Sequence, residues 1–165
     1  MSNDSWATPL EIYNTLDKEF NFCADMAASD VNHKHPIYWT EKDTPNSLQM
    51  DWADALSQMD IISPFVWCNP PYSNIKPWVE KAITAQANGV GTVMLVMADP
   101  SVMWFERARK YASEIRFVCC GRIAFLENGK AKGGNNKGSV FLIFAPRLIG
   151  TGLVNFVHRS ELMSY

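Results

Sequence analysis

Four apolar runs punctuate the chain: Phe65-Val66-Trp67-Cys68, Thr92 to Ala98, Ile115 to Cys119 and Ser139 to Ala145. Each is short, rich in aliphatic and aromatic residues and bounded by turn formers or charges, which predicts buried strands. Continuous rather than alternating hydrophobicity suits a parallel sheet covered on both faces. Between the runs the apolar period lengthens to helical spacing. Leu10, Tyr13, Leu16 and Phe20 predict a helix over 9–19, and Trp78, Val79, Ala82 and Ile83 one from Pro77 to Gln86. A third starts at Pro100-Ser101, with Val102, Phe105 and Ala108 inward and Arg107, Arg109 and Lys110 outward. Alternation from Phe20 to Asp25 predicts the first, central strand. Ile37 to Thr40 and Ser47 to Trp52 read as brief second and third strands, and Leu153 to Val157 as an edge strand or short helix. Strands alternating with helices give an α/β fold. The expectation is a single Rossmann-like domain over 1–165, its mostly parallel twisted sheet holding one antiparallel strand, with helices on both faces.

Local signals sharpen this outline. Thr8-Pro9-Leu10-Glu11 reads as a helix start, with Thr8 able to cap, Pro9 at the first helical position and Glu11 completing a capping box. The strand at 65–68 stops abruptly in Asn69-Pro70-Pro71-Tyr72-Ser73. Two prolines forbid further ladder pairing and stiffen the backbone just past the strand's carboxyl end, the edge where open α/β sheets bind ligands. Asn69 offers a carbonyl acceptor that cannot take up a proton, Pro70 a free backbone carbonyl and Tyr72 a flat ring. Together they suit an exocyclic amine on a planar ring, with two acceptors for two N–H bonds and one face to stack on. A Pro-Pro turn closing an ordinary strand is the competing reading. Asp25 falls at the same edge, followed by the small residues Ala27, Ala28 and Ser29, which let backbone approach a ligand closely; the alternative is an Asp capping the next helix. Glu41 or Asp43 stands where a ribose-binding carboxylate falls in doubly wound folds, and the two are not distinguished.

Composition adds limits. With 165 residues, 47% hydrophobic and 19% charged, the chain has the make-up of an ordinary globule with a sizeable core. No apolar run approaches the roughly 20 residues of a membrane span. Met1 to Ser5 carry no export signal, so a cytoplasmic protein is expected. Cys23, Cys68, Cys119 and Cys120 lack C-x-x-C spacing and lie in or beside apolar runs, so they read as buried reduced thiols. His33 and His35 have no partners at ligand spacing, and no metal is expected. The net charge of −2 hides an asymmetry: residues 1–100 hold 5 Lys/Arg against 13 Asp/Glu, residues 101–165 hold 10 against 4. Such a split hints at a basic face that meets phosphates; a solvated surface on a skewed sequence explains it equally well.

The frame formed by Trp6-Ala7-Thr8-Pro9, Phe20 to Ala28, Asp51-Trp52, Trp67 to Ser73 and Gly121-Arg122-Ile123-Ala124-Phe125 resembles the phage-type DNA N6-adenine methyltransferase family, from roughly Trp6 to Pro146. That resemblance implies S-adenosylmethionine as cofactor, double-stranded DNA as partner and the host cytoplasm as location if the gene is phage-borne. It implies a role in restriction-modification or phage protection. It assigns Asn69, Pro70, Pro71 and Tyr72 to catalysis. Trp6, Thr8 and Pro9 fall in the segment against the cofactor's methionine end, Asp25 and Ala27 in the nucleotide turn, and Asp51 and Trp52 beside its adenine; Asn69 reaches the cofactor too. Met26, Ala28 and Ser29 depart from the family's more usual proline- or glycine-containing turn. The Gly-Asn-Lys insert from Leu126 to Gly138 lies beside this edge and could clamp a DNA backbone, with Lys130, Lys132, Lys137, Arg122 and Ser73 as candidate contacts; a plain hairpin loop is equally compatible.

On this reading Asn69 and Pro70 accept both amine hydrogens of an adenine flipped out of the duplex and stacked on Tyr72, and the methyl passes directly to nitrogen. Neither a general base of shifted pKa nor a covalent cysteine is required. The nearest rivals are transfer to another nitrogen, as in protein-glutamine or RNA-base methylation, and a catalytically silent module that binds cofactor or nucleic acid. Cytosine N4 is disfavoured because those enzymes usually carry Ser where Asn69 stands. No separate target-recognition domain fits in this length, so sequence specificity falls to short loops or to a second subunit, a homodimer.

Overall fold

The structure is a computed structural model that describes residues 3–61, 64–132 and 136–164. Met1 and Ser2 of the N-terminal stretch, and Gly133, Gly134 and Asn135 of the insert, lie outside the described residues.

A five-stranded sheet is built from β1 (Phe65–Cys68), β2 (Gly91–Met97), β3 (Glu114–Cys119), β6 (Ser139–Phe144) and β7 (Leu153–His158), in the order β1-β2-β6-β3-β7. A two-residue hairpin, β4 (Leu126–Glu127) and β5 (Lys130–Ala131), stands apart. β1 pairs parallel with β2, Phe65 opposite Gly91, and β3 parallel with β7, Glu114 opposite Leu153. β6 runs antiparallel to both of its neighbours, with Val93 opposite Ile143 and Ile115 opposite Leu142. Four strands therefore point one way and one the other, the mostly parallel mixed sheet that the apolar runs imply.

Alternating side-chain direction along β2 sorts the core onto two faces. Val93 and Leu95 pack with Ile12, Tyr13 and Leu16 of α1 (Leu10–Phe20) and Leu162 of α5 (Arg159–Leu162). Met94 and Val96 pack with Trp52 and Leu56 of α2 (Trp52–Ser57), Trp78, Val79 and Ala82 of α3 (Lys76–Ala87), and Phe105 and Ala108 of α4 (Met103–Tyr111). The sheet is thus clad on both sides. No helix of the described residues is long and apolar enough to cross a membrane.

Several local expectations need correction. Phe20 is the last residue of α1, not the first of a strand. Asn21 adopts the left-handed φ of 52°, which its short polar side chain tolerates, and its N–H donates to the Asp17 carbonyl. The chain then lies extended through Asp25 without forming a full strand: Cys23 N–H donates to the Phe65 carbonyl, Trp67 N–H to Ala24 and Met26 N–H to Trp67. On the other side Asp25 N–H donates to Ile37 and Trp39 N–H to Asp25, so 37–40 contributes a single bridge at Tyr38. The third strand at 47–52 does not exist. Residues 47–50 turn, and Asp51 caps α2 by accepting from Asp54 N–H at 2.9 Å. Asp-x-x-Asp before an apolar run is an N-terminus signal that the strand reading overlooked. The third helix starts at Met103, after the turn at Pro100-Ser101. Cys23 and Cys68 are buried, but Cys119 is half-exposed and Cys120 exposed, because β3 ends at Cys119 and Cys120 turns outward with φ of 59°.

Candidate active site

β1 ends where its sequence says it must. Cys68 is the last ladder residue, and Asn69 and Pro70 leave the sheet at the carboxyl edge of the parallel strands. Asn69 is half-buried. Its Nδ2 donates to Thr8 Oγ1 at 3.1 Å, across 61 residues of sequence. Thr8 is 1% exposed, so this bond is shielded. With the amide nitrogen committed to Thr8, Oδ1 is the acceptor that Asn69 has left to offer. Thr8 does not cap α1, because Pro9 holds the N-cap position, and no side chain closes that end.

In front of Asn69 lies a small recess lined by Asp4, Trp6, Asn69, Pro70, Tyr72 and Phe125. Trp6 stacks on Phe125 with ring centres 6.0 Å apart, and Tyr72 meets Phe125 edge-on at 6.1 Å. The Tyr72 hydroxyl points away from the opening and donates to the Leu95 carbonyl over a long 3.5 Å. Burial holds its phenol well above the ordinary range, so it stays protonated. The recess therefore combines aromatic walls with amide and carboxylate acceptors, a lining matched to a flat ring bearing N–H donors.

Asp25 sits one strand away, bridged in parallel to Trp67. It is 3% exposed, and burial raises its pKa against the opposing pull of two backbone bonds. Those bonds come from Lys34 N–H to Oδ2 at 2.9 Å and Ala27 N–H to Oδ1 at 3.3 Å, which tie the 27–34 turn over the strand end. Asp51 spends Oδ1 on the α2 cap and is half-buried. Trp52 is 2% exposed, its indole N–H donating to the Ser47 carbonyl at 2.8 Å, so it stands in the core. Asp43 Oδ2 accepts from Thr40 N–H in a local turn, while Glu41 is exposed. Trp6 lines the recess with Asn69 and Tyr72, apart from Asp25, Asp51 and Trp52.

The basic half of the chain is largely neutralised by folding. Arg107 pairs with Glu80, Arg116 with Glu19 and Glu114, Lys137 with Asp99, Lys132 with Glu127, and Arg109 and Lys110 with Glu106. Three of those carboxylates, Glu19, Glu80 and Asp99, belong to the acidic half, so the asymmetry seen along the sequence partly cancels in space. Arg122 and Lys130 are exposed beside the hairpin. Asp4 and Phe125 line the recess without having been singled out as site residues. Phe125 stands in the Gly121–Phe125 segment that the sequence had marked, whereas nothing local distinguishes Asp4.

Two comparisons bear on this geometry. The model of a protein family described as "DNA N-6-adenine-methyltransferase (Dam)" matches residues 1–165. A protein named DNA N-6-adenine-methyltransferase from Escherichia phage T1 is 34% identical over 178 aligned positions, covering 98% of this chain and 70% of that protein. One of the same name from Haemophilus phage HP1 (strain HP1c1) is 30% identical over 147, covering 87% and 80%.

Proposed function

The chain belongs to the DNA N-6-adenine-methyltransferase family, and from that premise we propose how its carboxyl-edge recess works. The protein is an adenine-specific DNA methyltransferase, placing a methyl group on N6 of adenine. The observation that supports a role for the recess is the Asn69–Thr8 bond, which turns the amide so that its oxygen is the group on offer.

Adenine N6 is a poor nucleophile because its lone pair is delocalised into the ring. Asn69 Oδ1 and the Pro70 carbonyl accept its two N–H bonds and draw electron density back onto nitrogen as it pyramidalises. These acceptors are fixed before reaction by a proline-stiffened turn and a shielded hydrogen bond, so little reorganisation is needed at the transition state. A base paired inside a duplex cannot reach them and is flipped out, its ring resting on Tyr72. Pro71 holds the turn's shape, and the surplus proton passes from the methylated nitrogen to solvent water. Ser73, Arg122, Lys130, Lys132 and Lys137 are the proposed contacts to the DNA strand, with Lys132 and Lys137 exchanging their present carboxylate partners for phosphate.

S-adenosylmethionine is the proposed donor and supplies a methyl group on a sulfonium. The acceptor set fits it: Asp51 has a second carboxylate oxygen beyond the one used in its cap, suited to an adenine amine, and Ala27 keeps the turn after Asp25 free of bulk. Asp25 shapes this turn through the backbone of Ala27 and Lys34, with Trp52 beneath. Thr8, Pro9 and the first turn of α1 flank the methionine end. The proposed fold of residues 1–165 is a single Rossmann-like methyltransferase domain.

The test uses radiolabelled S-adenosylmethionine with duplex DNA, RNA and cell protein in parallel. Label in adenine of duplex DNA, lost in Asn69→Ala while the cofactor still binds, is the expected result. Undiminished DNA methylation by Asn69→Ala would overturn the residue assignment.

A further inference from the structure

The N-terminal segment runs alongside the Asn69–Ser73 turn in antiparallel register and is tied to it at both ends. At the inner end Asn69 donates to Thr8. At the outer end Asp4 accepts twice from Ser73, Oδ1 from the backbone N–H at 3.0 Å and Oδ2 from the hydroxyl at 2.6 Å. Between the ties the two segments part, and the recess opens there, with Asp4 and Trp6 on one wall, Asn69, Pro70 and Tyr72 on the other, and buried Phe125 at its base. Ala7 is held in turn by a pair of backbone bonds to Leu126, Ala7 N–H to the Leu126 carbonyl at 2.7 Å and the reciprocal bond at 2.9 Å.

We propose that Asp4 is a positioning residue for the target base: its latch on Ser73 fixes the outer wall of the recess and sets the exit of the catalytic turn. The inference rests on the reading of the recess as the adenine pocket. The two ties differ in a way that gives them different work. Thr8 is buried, and its bond belongs to the framework; Asp4 and Ser73 are exposed, where water competes for every donor and acceptor. The outer tie is therefore the one that opens at low cost, admitting a base, and closes behind it. A carboxylate suits the task because it accepts from the backbone and the hydroxyl of one residue together, fixing Ser73 in orientation as well as position. Loss of the latch leaves the chemistry of Asn69 intact but lets the wall swing, so the defect falls on capture of the base.

The experiment uses the full chain, a duplex whose methylated adenine has been mapped with the wild-type protein, and the same duplex with 2-aminopurine at that position. Asp4→Ala is expected to raise KM for the duplex about tenfold and to diminish the 2-aminopurine fluorescence rise, with kcat at saturating DNA within about twofold and cofactor affinity unchanged. Asp4→Asn, which keeps one acceptor, should recover part of the loss. Ser73→Ala removes the hydroxyl bond but keeps the backbone donor, so Asp4→Ala should still add a further loss in that background. Wild-type KM and fluorescence in Asp4→Ala, or a defect confined to kcat, would overturn the proposal. A wild-type protein that methylates DNA without any 2-aminopurine response, together with an active Asn69→Ala, would instead sink the adenine-pocket reading and this inference with it.

Discussion

Replacing Thr8 by valine separates the orientation of the Asn69 amide from its presence. The substitution keeps β-branching and nearly the same volume and puts a methyl group in place of the Oγ1 hydroxyl that accepts from Asn69 Nδ2 at 3.1 Å. A net worth of about 1 kcal/mol for such a bond keeps the oxygen-outward amide at roughly 85% occupancy. Without it the two amide orientations become about equally populated, so orientation alone costs less than about twofold in kcat. Stability should respond more than rate. Thr8 is 1% exposed, so the stranded N–H meets little water, and a loss of about 1–2 kcal/mol lowers Tm by roughly 3–6 °C in a chain of this length. Calorimetric melting and single-turnover methylation of duplex DNA measure the two effects. A Thr8→Val protein that melts like wild type would refute the bond. One that loses a hundredfold in kcat would refute the orientation argument, because rotation of a side chain cannot supply that much, and would show Thr8 touching the reactants.

Three further outcomes follow. Asn69→Ala should lose about 10²–10³ in kcat, the cost of deleting one pre-set group that stabilises developing charge, with calorimetric cofactor binding retained. Tyr72→Phe should methylate nearly as well as wild type, because the hydroxyl bond to Leu95 is long at 3.5 Å, whereas Tyr72→Ala should weaken base capture and the 2-aminopurine signal. Asp99 is held down to about 2, first by the Lys137 ammonium and then by Ser101. A depressed acid stabilises the fold above its ordinary value of 3.8 and loses that contribution as pH falls towards 2. Lys137→Ala should therefore move the Asp99 carboxyl titration, followed by NMR, upward; an unmoved titration would remove the ion pair from the account.

What the sequence disclosed follows from the range of the interactions involved. Runs such as 65–68 and 139–144 declare themselves because burial on both faces demands apolar residues at every position. The Asn-Pro-Pro-Tyr turn is equally local: its stiffness is covalent. Thr8 has the local neighbours of a cap, yet Pro9 takes that position and the Thr8 hydroxyl meets a partner 61 positions away. Phe20 and Phe22 alternate like a strand, yet a left-handed Asn21 between them ends a helix instead. Asp4 has no local signature at all; only the folded chain brings it against Ser73. The clustering of lysine and arginine after residue 100 suggested an open cationic face, and pairing with Glu19, Glu80 and Asp99 consumes much of it.

The position of β6 governs how this protein can come into being on a ribosome. The strand that stitches β2 to β3 is the sixth of seven in chain order. Until residue 144 has emerged, β2 and β3 have no common neighbour, and each leaves the backbone N–H and C=O groups along that edge unpaired. The nascent polypeptide thus waits from the emergence of β2 until a single hexapeptide follows it. Shortening it from the C-terminal side past Phe144 should leave a product for chaperones and proteases, not a smaller working enzyme.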